Sequence, residues 1–420
     1  MVNEIARDYY LEKLINAEQN GLIKVVTGMR RSGKTYLLFT IFKKRLLQDG
    51  CPQDHIIEVS LDQRENVGLR NPDALLKYIK SKIVDNNLYY ILLDEIQMAE
   101  DFVDVLNSLL HISNADVYVT GSNSKFLSSD IVTEFRGRSD QIRVFPLSFS
   151  EFFSVYDGDR RDAWNEYWRF GGLPQVVRLK SESSKQEFLN SVFENTYQRD
   201  ILERYNIRYK EELSEITEVI ASSIGSLTSS RNLEKTFASK TNKKITHNTI
   251  DKYIGYLKDS FLIEEAVRYD IKGKRYINSP VKYYFTDLGV RNSVSGFRQM
   301  EESHIMENII YNELKKLGYQ VDVGSVGIRE QNRNGNFVLK QTEVDFVVNK
   351  ADRRYYIQSV LSLETREKTI QEERPFKNID DNFSKIIITG GSGRPWHTEE
   401  GILIVGIIDF LLNPKLILNN

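Results

Sequence analysis

The chain has 420 residues, and its 57 Lys and Arg nearly balance its 59 Asp and Glu, so the formal net charge is −2. This balance excludes a uniformly basic nucleic-acid coat protein and a self-repelling acidic chain. Hydrophobic residues make up 40% and charged residues 28% of the sequence, which excludes global disorder. The length is typical of two or three domains.

A single cysteine, Cys51, excludes an intrachain disulfide and a cysteine-rich zinc site. The N-terminal residues lack the basic and then apolar pattern of a secretory signal. The longest apolar run, 402–412, contains Asp409 and is too short to span a membrane. It is typical of a buried strand that leads into a helix. We therefore expect a cytoplasmic protein with no membrane partner.

Residues 1–150 alternate between short apolar strands and amphipathic helices. The predicted strands are 22–27, 56–61, 89–93 and 117–120. The predicted helices are 36–47, 74–84 and 102–110. Apolar strands separated by helices predict an α/β fold with a parallel sheet covered on both faces.

Three further segments are expected. Residues 151–207 are helical by pattern, with a break at Gly171-Gly172-Leu173-Pro174. Residues 208–295 predict three short helices and a hairpin, and the third helix carries an apolar stripe made of Ile250, Tyr253, Ile254 and Leu257. Residues 296–420 return to α/β, with a helix at 303–317 and strands near 344–348, 355–360, 385–389 and 402–408.

Residues 28–35 fit the pattern G-x-x-x-x-G-K-[ST] between a predicted strand and a predicted helix. The two glycines let backbone N–H groups face phosphate oxygens, and the helix N-terminus adds partial positive charge. Lys34 is then placed near the β- and γ-phosphates, and the Thr35 hydroxyl is a ligand for Mg²⁺. The candidate nucleotide-binding residues are Gly28, Met29, Arg30, Arg31, Ser32, Gly33, Lys34, Thr35 and Tyr36. For Arg30 and Arg31 a structural role is the alternative.

Asp94 and Glu95 follow the apolar strand 89–93. A carboxylate at the end of such a strand holds Mg²⁺, so Asp94 is a candidate metal ligand. Glu95 is then placed to orient and deprotonate the water that attacks the γ-phosphate. One further strand, 56–61, precedes this one in the chain, as in ATPases that carry their own catalytic base. An acidic pair at a helix N-terminus is the alternative.

Polar and basic residues follow the strand 117–120. Ser122 or Asn123 is a candidate to contact the γ-phosphate or the attacking water, and helix capping is the alternative. Arg136 and Arg138 are candidates to stabilise charge on the transferring phosphoryl group, a role that a neighbouring subunit often supplies. A solvated basic loop is their alternative role.

These motifs resemble a large bacterial and archaeal family of AAA-type ATPases. The matching segments are 28–35, 93–97, 120–122, 136–138, 145–149, 171–174, 197–201 and 343–346. The resemblance covers nearly the whole chain, including a winged-helix segment and a C-terminal domain of unknown function. It implies binding and hydrolysis of ATP with Mg²⁺, and little about the downstream task.

Three helices and a hairpin predict a winged helix over 208–295. Asn248, with Asp251 three residues later, is the predicted cap of the third helix. A DNA groove would be contacted by residues of this helix, including Asn248 and Lys252, and DNA phosphates by the hairpin turn with its Lys272, Lys274 and Arg275. Protein contact is the alternative role of such a segment.

In 296–420 the predicted order helix, strand, strand, strand, helix, strand resembles a restriction-endonuclease-like core. Its metal-binding positions would be Glu307, Asp345 and residue 358. Working versions carry Glu-x-Lys at the third motif, whereas this chain has Gln358-Ser359-Val360. We therefore expect a nuclease-shaped domain that does not cleave.

Three functions fit these observations. The first is an ATPase, expected as a homo-oligomer, that couples hydrolysis to conformational change on DNA. The second is an ATP-dependent protein-interaction switch or scaffold. The third is an ATP-gated, metal-dependent nuclease.

Overall fold

The structure is a computed structural model that describes residues 4–121, 137–194, 199–207, 210–240, 245–298, 301–331, 336–391 and 393–418. The chain forms two compact units. The first comprises residues 1–147, 173–175 and 259–261. The second comprises residues 148–172, 176–258 and 262–420.

The first unit is built on a parallel five-stranded sheet. Its strands are β1 (Ile23–Thr27), β2 (Ile56–Ser60), β3 (Tyr89–Asp94), β4 (Ala115–Thr120) and β5 (Ser139–Arg143). They lie in the order β2-β3-β4-β1-β5, and each neighbouring pair is parallel. β4 therefore separates β1 from β3, which brings the carboxyl ends of the three strands to one edge of the sheet.

The helices of the first unit connect these strands. They are Asp8–Asn16, the consecutive turns Lys34–Tyr36, Leu37–Phe42 (π-helical) and Lys43–Gln48, then Pro72–Lys82 and Phe102–Leu110. Short 3-10 turns occupy Gln53–His55, Arg64–Arg70 and Ile96–Met98. The four strands and three helices predicted for residues 1–150 are confirmed with shifts of a few residues at their ends.

Both faces of this sheet are buried, as the apolar strands predict. Ile91 and Leu93 of β3 pack into one hydrophobic cluster, and Tyr90 and Leu92 pack into another. This division follows from the alternation of side chains along a strand. The P-loop NTPase type of fold is thereby confirmed for the first unit.

The second unit begins with helices. They are Phe149–Phe153, Arg160–Phe170, Glu182–Ser191, Arg199–Tyr205, Lys210–Ser222, Ser230–Lys240 and His247–Asp259, and the short helix Pro174–Val177 begins in residues assigned to the first unit. Later helices are Leu288–Val294, Glu302–Lys316, Arg366–Lys377, Ile407–Leu412 and Pro414–Leu418. The predicted break at Gly171 is confirmed, because a helix ends at Phe170 and Gly171 has a φ of +74°.

The sheet of the second unit has eight strands. They are β6 (Ile263–Asp270), β7 (Arg275–Phe285), β8 (Gln320–Gln331), β9 (Phe337–Lys350), β10 (Arg353–Val360), β11 (Ser384–Thr389), β12 (Trp396–His397) and β13 (Leu403–Gly406). Their order is β12-β13-β11-β10-β9-β8-β6-β7. β6 pairs in parallel with β8, so the hairpin β6-β7 extends the sheet of the last segment across the boundary predicted at residue 295.

The third helix of the middle segment, His247–Asp259, buries the stripe of Ile250, Tyr253, Ile254 and Leu257 as predicted. The predicted cap is wrong. Asn248 lies inside the helix, and the Thr246 hydroxyl accepts from the Thr249 N–H at 3.3 Å instead. The helix begins earlier than expected because Thr246 satisfies an unpaired first-turn donor.

Within the described residues, every helix is too short or too polar to cross a bilayer.

Candidate nucleotide-binding site

The phosphate loop joins β1 to the helix that begins at Lys34. Gly28 has a φ of +136° and Gly33 a φ of +94°. A Cβ atom on Gly28 would lie 2.1 Å from the Val144 carbonyl oxygen. Only glycine fits there, and the sequence motif therefore has a steric cause in this chain.

Lys34 is buried inside this loop. Its Nζ atom donates to the carbonyl oxygens of Gly28 and Met29, at 3.0 Å each. Burial lowers the pKa of Lys34 to about 8, although the nearby carboxylates of Glu95 and Asp94 favour the charged form. The ammonium group is therefore held in the loop, ready to exchange carbonyl partners for phosphate oxygens.

Asp94, at the end of β3, lies beside Thr35. The Thr35 hydroxyl donates to the two Asp94 carboxylate oxygens at 3.0 and 3.1 Å. Burial raises the pKa of Asp94, while the hydroxyls of Thr120 and Thr35 lower it. A hydroxyl and a carboxylate in contact are the pair of protein ligands that Mg²⁺ takes beside a nucleotide, so these residues fit the metal.

Glu95 follows in a left-handed conformation with a φ of +52°. Its N–H donates to the Thr120 hydroxyl at 3.0 Å, and Gln97 Nε2 donates to its carboxylate. A non-glycine residue at positive φ is uncommon and is often found at functional sites.

Two further polar side chains belong to the surroundings of this loop: Ser32, which the motif includes, and Arg7, which was not predicted. The Ser32 hydroxyl is buried and has no hydrogen-bond partner among the described residues, which fits a loop that receives a polar ligand. Arg7 donates to the Ser32 carbonyl at 3.2 Å and to the Phe145 carbonyl at 2.6 Å. Arg7 lies 25 residues before Ser32, so no local motif identifies it.

The other loop residues are placed as follows. Met29 is fully buried, and Arg30 is half-buried. Arg31 is exposed and donates to Gln175 Oε1 at 2.9 Å. Tyr36 is 38% exposed. The burial of Met29 and the hydrogen bond of Arg31 therefore give both residues a structural role that does not require a nucleotide.

Arg138 does not join this site. It precedes β5, and its carbonyl accepts from the N–H of Ile23 at the start of β1. The phosphate loop follows the opposite end of β1, so Arg138 lies at the other edge of the sheet, where its guanidinium donates to Asn107 Oδ1 at 3.1 Å. A role at the phosphates is open to Arg138 only in a neighbouring copy. Ser122, Asn123 and Arg136 lie outside the described residues.

The residues predicted to contact DNA lie on two features of the second unit. Asn248 and Lys252 are exposed on one helix. Lys272 and Lys274 line a cavity of about 640 Å³. Arg275 Nε lies 3.5 Å from an Asp270 carboxylate oxygen.

Glu307 and Asp345, two of the positions singled out in the sequence, lie close together in the second unit. Both face the ammonium group of Lys282, at 2.8 and 3.7 Å, and Glu343 lies 2.6 Å from the same Nζ atom. Lys282 and Glu343 were not predicted. Lys282 lies on β7, 25 residues before Glu307, so no local motif identifies it.

Gln358 lies beside Asp345, and its Oε1 accepts from the Asp345 N–H at 3.3 Å. Its Nε2 donates to Glu372 of the helix Arg366–Lys377 at 3.4 Å, and the next residue on the same face, Val360, packs in the cluster with Phe376 of that helix. Because side chains alternate along a strand, Ser359 faces the side of Asp345, whose carboxylate accepts from the Ser359 N–H at 2.7 Å. Gln358 and Ser359 therefore both contact Asp345, Gln358 through its amide oxygen and Ser359 through its backbone N–H.

Comparison with known proteins agrees with the geometry of the first unit. A family model described as AAA domain matches residues 20–153. An uncharacterized protein of Haemophilus influenzae is 32% identical over 415 residues, which cover 97% of this chain and 98% of the relative. An uncharacterized protein of Methanocaldococcus jannaschii is 30% identical over 389 residues, which cover 87% of this chain and 82% of the relative.

The chain belongs to the same family as these two uncharacterized relatives, and its residues 20–153 match an AAA domain. The matched AAA domain contains the phosphate loop, Asp94 and Glu95. A second model, described as a domain of unknown function, matches residues 161–301. Among solved structures, a Walker-type ATPase of Pyrococcus abyssi aligns with 69% of this chain and 96% of its own, at 16% identity and a TM-score of 0.48.

Proposed function

We propose that this AAA-domain protein binds ATP with Mg²⁺, hydrolyses it, and couples hydrolysis to a conformational change on DNA. The observation that carries the proposal is the contact between Thr35 and Asp94 beside the buried Lys34. These residues meet from two strand ends of one sheet. A hydroxyl, a carboxylate and an ammonium group in this arrangement match the needs of a triphosphate and its metal.

Each group then has a defined task. The backbone N–H groups of residues 28–35 bind phosphate oxygens, and Lys34 neutralises charge on the β- and γ-phosphates. Thr35 and Asp94 hold Mg²⁺, which supplies charge stabilisation for the transferring phosphoryl group. Glu95 accepts a proton from the attacking water as the bond to the γ-phosphorus forms and the bond to the leaving oxygen breaks.

Replacement of Glu95 tests the catalytic part of this proposal. Glu95→Gln keeps the size of the side chain and removes its basicity, so Mg·ATP binding should persist while kcat falls by at least about 10²-fold. Glu12→Gln is the matched control, because Glu12 is an exposed glutamate of the same unit. Unchanged turnover in Glu95→Gln, with binding intact, would exclude Glu95 as the base.

The DNA part rests on the second unit. Three helices before the hairpin β6-β7, and a bridge between Thr228 and Val281, support the predicted winged helix. Lys272 and Lys274 at the hairpin turn provide charge for phosphate contact. The triple change Lys272→Ala, Lys274→Ala and Arg275→Ala should weaken DNA binding and reduce its salt dependence, by a slope of about 0.9 for each lost phosphate contact.

The matched control is a second triple change in the first unit, at the exposed Lys77, Lys80 and Lys82. If both triple variants bind DNA as the unchanged protein does, the DNA proposal fails. ATP hydrolysis is then measured with and without DNA. This separates the ATPase part of the proposal from the DNA part, because the phosphate loop can hydrolyse ATP even if the hairpin turn does not bind DNA.

A protein-interaction switch is the second candidate function. Three consecutive apolar residues at the start of β9 support it: Phe337 is 72%, Val338 44% and Leu339 65% exposed. Contiguous exposed apolar side chains are typical of protein contact sites. ATPase activity that rises with a protein partner and is indifferent to DNA would favour this function.

A further inference from the structure

The second unit contains a buried ion cluster that the ATPase proposal does not use. Lys282 of β7 is 2% exposed, and its Nζ atom lies 2.8 Å from Glu307 Oε1 and 2.6 Å from Glu343 Oε1. Asp345 Oδ1 is 3.7 Å away. One ammonium group therefore faces three carboxylates, which come from the helix Glu302–Lys316 and from β9.

The order of elements around this cluster is the one predicted for a nuclease-like core. The helix Glu302–Lys316 is followed by β8, β9 and β10, then by the helix Arg366–Lys377 and by β11. β8, β9 and β10 pair antiparallel, and β10 pairs in parallel with β11. In a metal-dependent nuclease with this layout, the corresponding carboxylates hold a divalent ion. Whether this cluster fits a metal depends on the groups that surround its carboxylates.

A bulge in β9 aims Asp345 at the cluster. Asp322 and Gly324 of β8 oppose Val347 and Val344 of β9, so two residues, Asp345 and Phe346, stand opposite one residue of β8. Such bulges redirect a side chain next to a site. The result is that Asp345 faces Lys282, while Val344 and Val347 both stay in the hydrophobic cluster on the other side.

The remaining positions of the motif do not supply metal ligands. On β10 the residues that share a face with Asp345 are Ile357 and Ser359, which carry neither a carboxylate nor an ammonium group. The Gln358 side chain is held between the Asp345 N–H and the Glu372 carboxylate. Among the described residues, no group of three or more His, Cys, Asp or Glu is arranged to hold a metal ion.

The carboxylate oxygens are already engaged. Glu307 Oε1 accepts from both Lys282 and the Tyr284 hydroxyl, at 2.8 and 2.6 Å. Asp345 Oδ2 accepts from the Ser359 N–H. Burial alone would lower the pKa of Lys282, but Glu307, Asp345 and Glu343 outweigh burial and hold that pKa above its ordinary value. The lysine therefore stays charged.

We propose that Lys282 provides the resident cation of this cluster, in the place that a divalent metal would take, so that the site is closed to metal and the domain does not cleave nucleic acid. The physical reason is that an ammonium group within hydrogen-bond distance of the Glu307 and Glu343 oxygens and a metal at about 2.0–2.6 Å from them cannot occupy the same space. Three carboxylates without either cation would repel one another in a buried position.

Mn²⁺ titration followed by electron paramagnetic resonance tests this proposal. All variants carry Asp94→Asn and are measured without nucleotide, so that the phosphate-loop site contributes no bound metal. With Lys282 intact, we expect no Mn²⁺ at the cluster. Lys282→Ala should create one site with a dissociation constant on the order of 10⁻⁴ M, as in loosely built oxygen sites. Adding Glu343→Gln and Asp345→Asn should abolish that site.

Two results would overturn the proposal. The first is Mn²⁺ binding with Lys282 intact that is lost on Asp345→Asn, which shows an open metal site. The second is a folded Lys282→Ala protein, verified by circular dichroism, that binds no Mn²⁺. If Lys282→Ala does not fold, Mn²⁺ binding is still compared between Asp345→Asn and its parent protein, since both keep Lys282. Bound Mn²⁺ in the parent that is lost in Asp345→Asn would overturn the proposal.

Plasmid cleavage gives an independent readout. The protein with Lys282 should leave plasmid DNA intact in the presence of Mn²⁺ or Mg²⁺, with or without ATP. Cleavage that disappears on Asp345→Asn would contradict the proposal. Because this readout does not depend on Glu95 or Lys34, its outcome is separate from that of the ATPase proposal.

Discussion

The Asp287 carboxylate accepts a hydrogen bond from the Gly172 N–H at 2.8 Å, and Gly171 leaves no room for a side chain beside it. A Cβ atom on Gly171 would lie 2.4 Å from Asp287 Oδ1 and 2.5 Å from the Gly289 nitrogen. Asp287 also accepts from the Val290 N–H at 3.0 Å. The Gly-Gly pair therefore serves the packing of a buried carboxylate, in addition to ending a helix.

We expect Gly171→Ala to destabilise the protein by about 2–4 kcal/mol, because the added methyl group meets Asp287 and the φ of +74° disfavours alanine. Thermal unfolding measures the loss. Gly255→Ala is the control, since Gly255 lies within a helix with nothing near its Cβ position. That change should be neutral or stabilising by up to about 1 kcal/mol. Equal melting temperatures for the two variants would contradict this explanation of Gly171.

Asp287 should also make stability depend on pH. Burial raises its pKa from 3.8 to about 6, although the N–H groups of Val290, Gly172 and Gly289 favour the charged form. The folded state then holds a proton that the unfolded state releases, so stability falls as pH rises from about 4 to 6. The loss amounts to about 3 kcal/mol at about 1.4 kcal/mol for each pKa unit.

Asp287→Asn removes the ionisation of this one side chain, while the other Asp and Glu side chains still ionise. Urea unfolding of both proteins at pH 4.5, 5.5 and 7 measures the difference in slope. The variant should lose less stability over this interval than the unchanged protein. Parallel pH profiles would show that Asp287 does not titrate there.

ATP affinity should fall above pH 8. Because burial lowers the pKa of Lys34 to about 8, the nucleotide-free site loses its ammonium charge above that pH. We expect the dissociation constant for Mg·ATP to be level from pH 7 to 8 and then to rise by up to ~10-fold for each pH unit. Lys34→Ala should bind weakly and without this pH dependence. A fluorescent ATP analogue reports both profiles.

Thr120 should contribute to turnover more than to binding. Its hydroxyl donates to Asp94 Oδ1 and accepts from the Glu95 N–H, so it holds both acidic residues in place. Thr120→Val removes these bonds at constant size and should lower kcat by about 10-fold or more with little change in ATP affinity. Thr120→Ser keeps the hydroxyl and should retain most of the activity. Equal kcat values for the two variants would exclude this positioning role.

Arg138 gives a test for action between subunits. It lies at the edge of the sheet opposite the phosphate loop, so any contact with a phosphate requires a second copy of the chain. A mixture of Arg138→Ala with Lys34→Ala should then regain ATPase activity, because each protein supplies what the other lacks. If Arg138→Ala alone is fully active, the residue has no such role.

The phosphate loop and the strands of the first unit could be predicted because their signals are local. Gly28, Gly33 and Lys34 lie within one short segment, and the apolar runs of β1 and β3 have the length and composition of buried parallel strands. Asp94 could be assigned because it directly follows such a strand. In each case, the chemistry depends on residues that are neighbours in the chain.

Groups that meet from distant segments needed the tertiary structure. Arg7 reaches the carbonyl of Ser32, Thr120 joins Asp94 to Glu95, and Lys282 enters the carboxylate cluster from another strand. Gln358 joins Asp345 to Glu372, a contact that strand pairing sets, and the bulge at Asp345 shifts the alternation of side chains on the adjacent strand. Local pattern determined the nucleotide site, while strand pairing and burial decided which cation the second cluster holds.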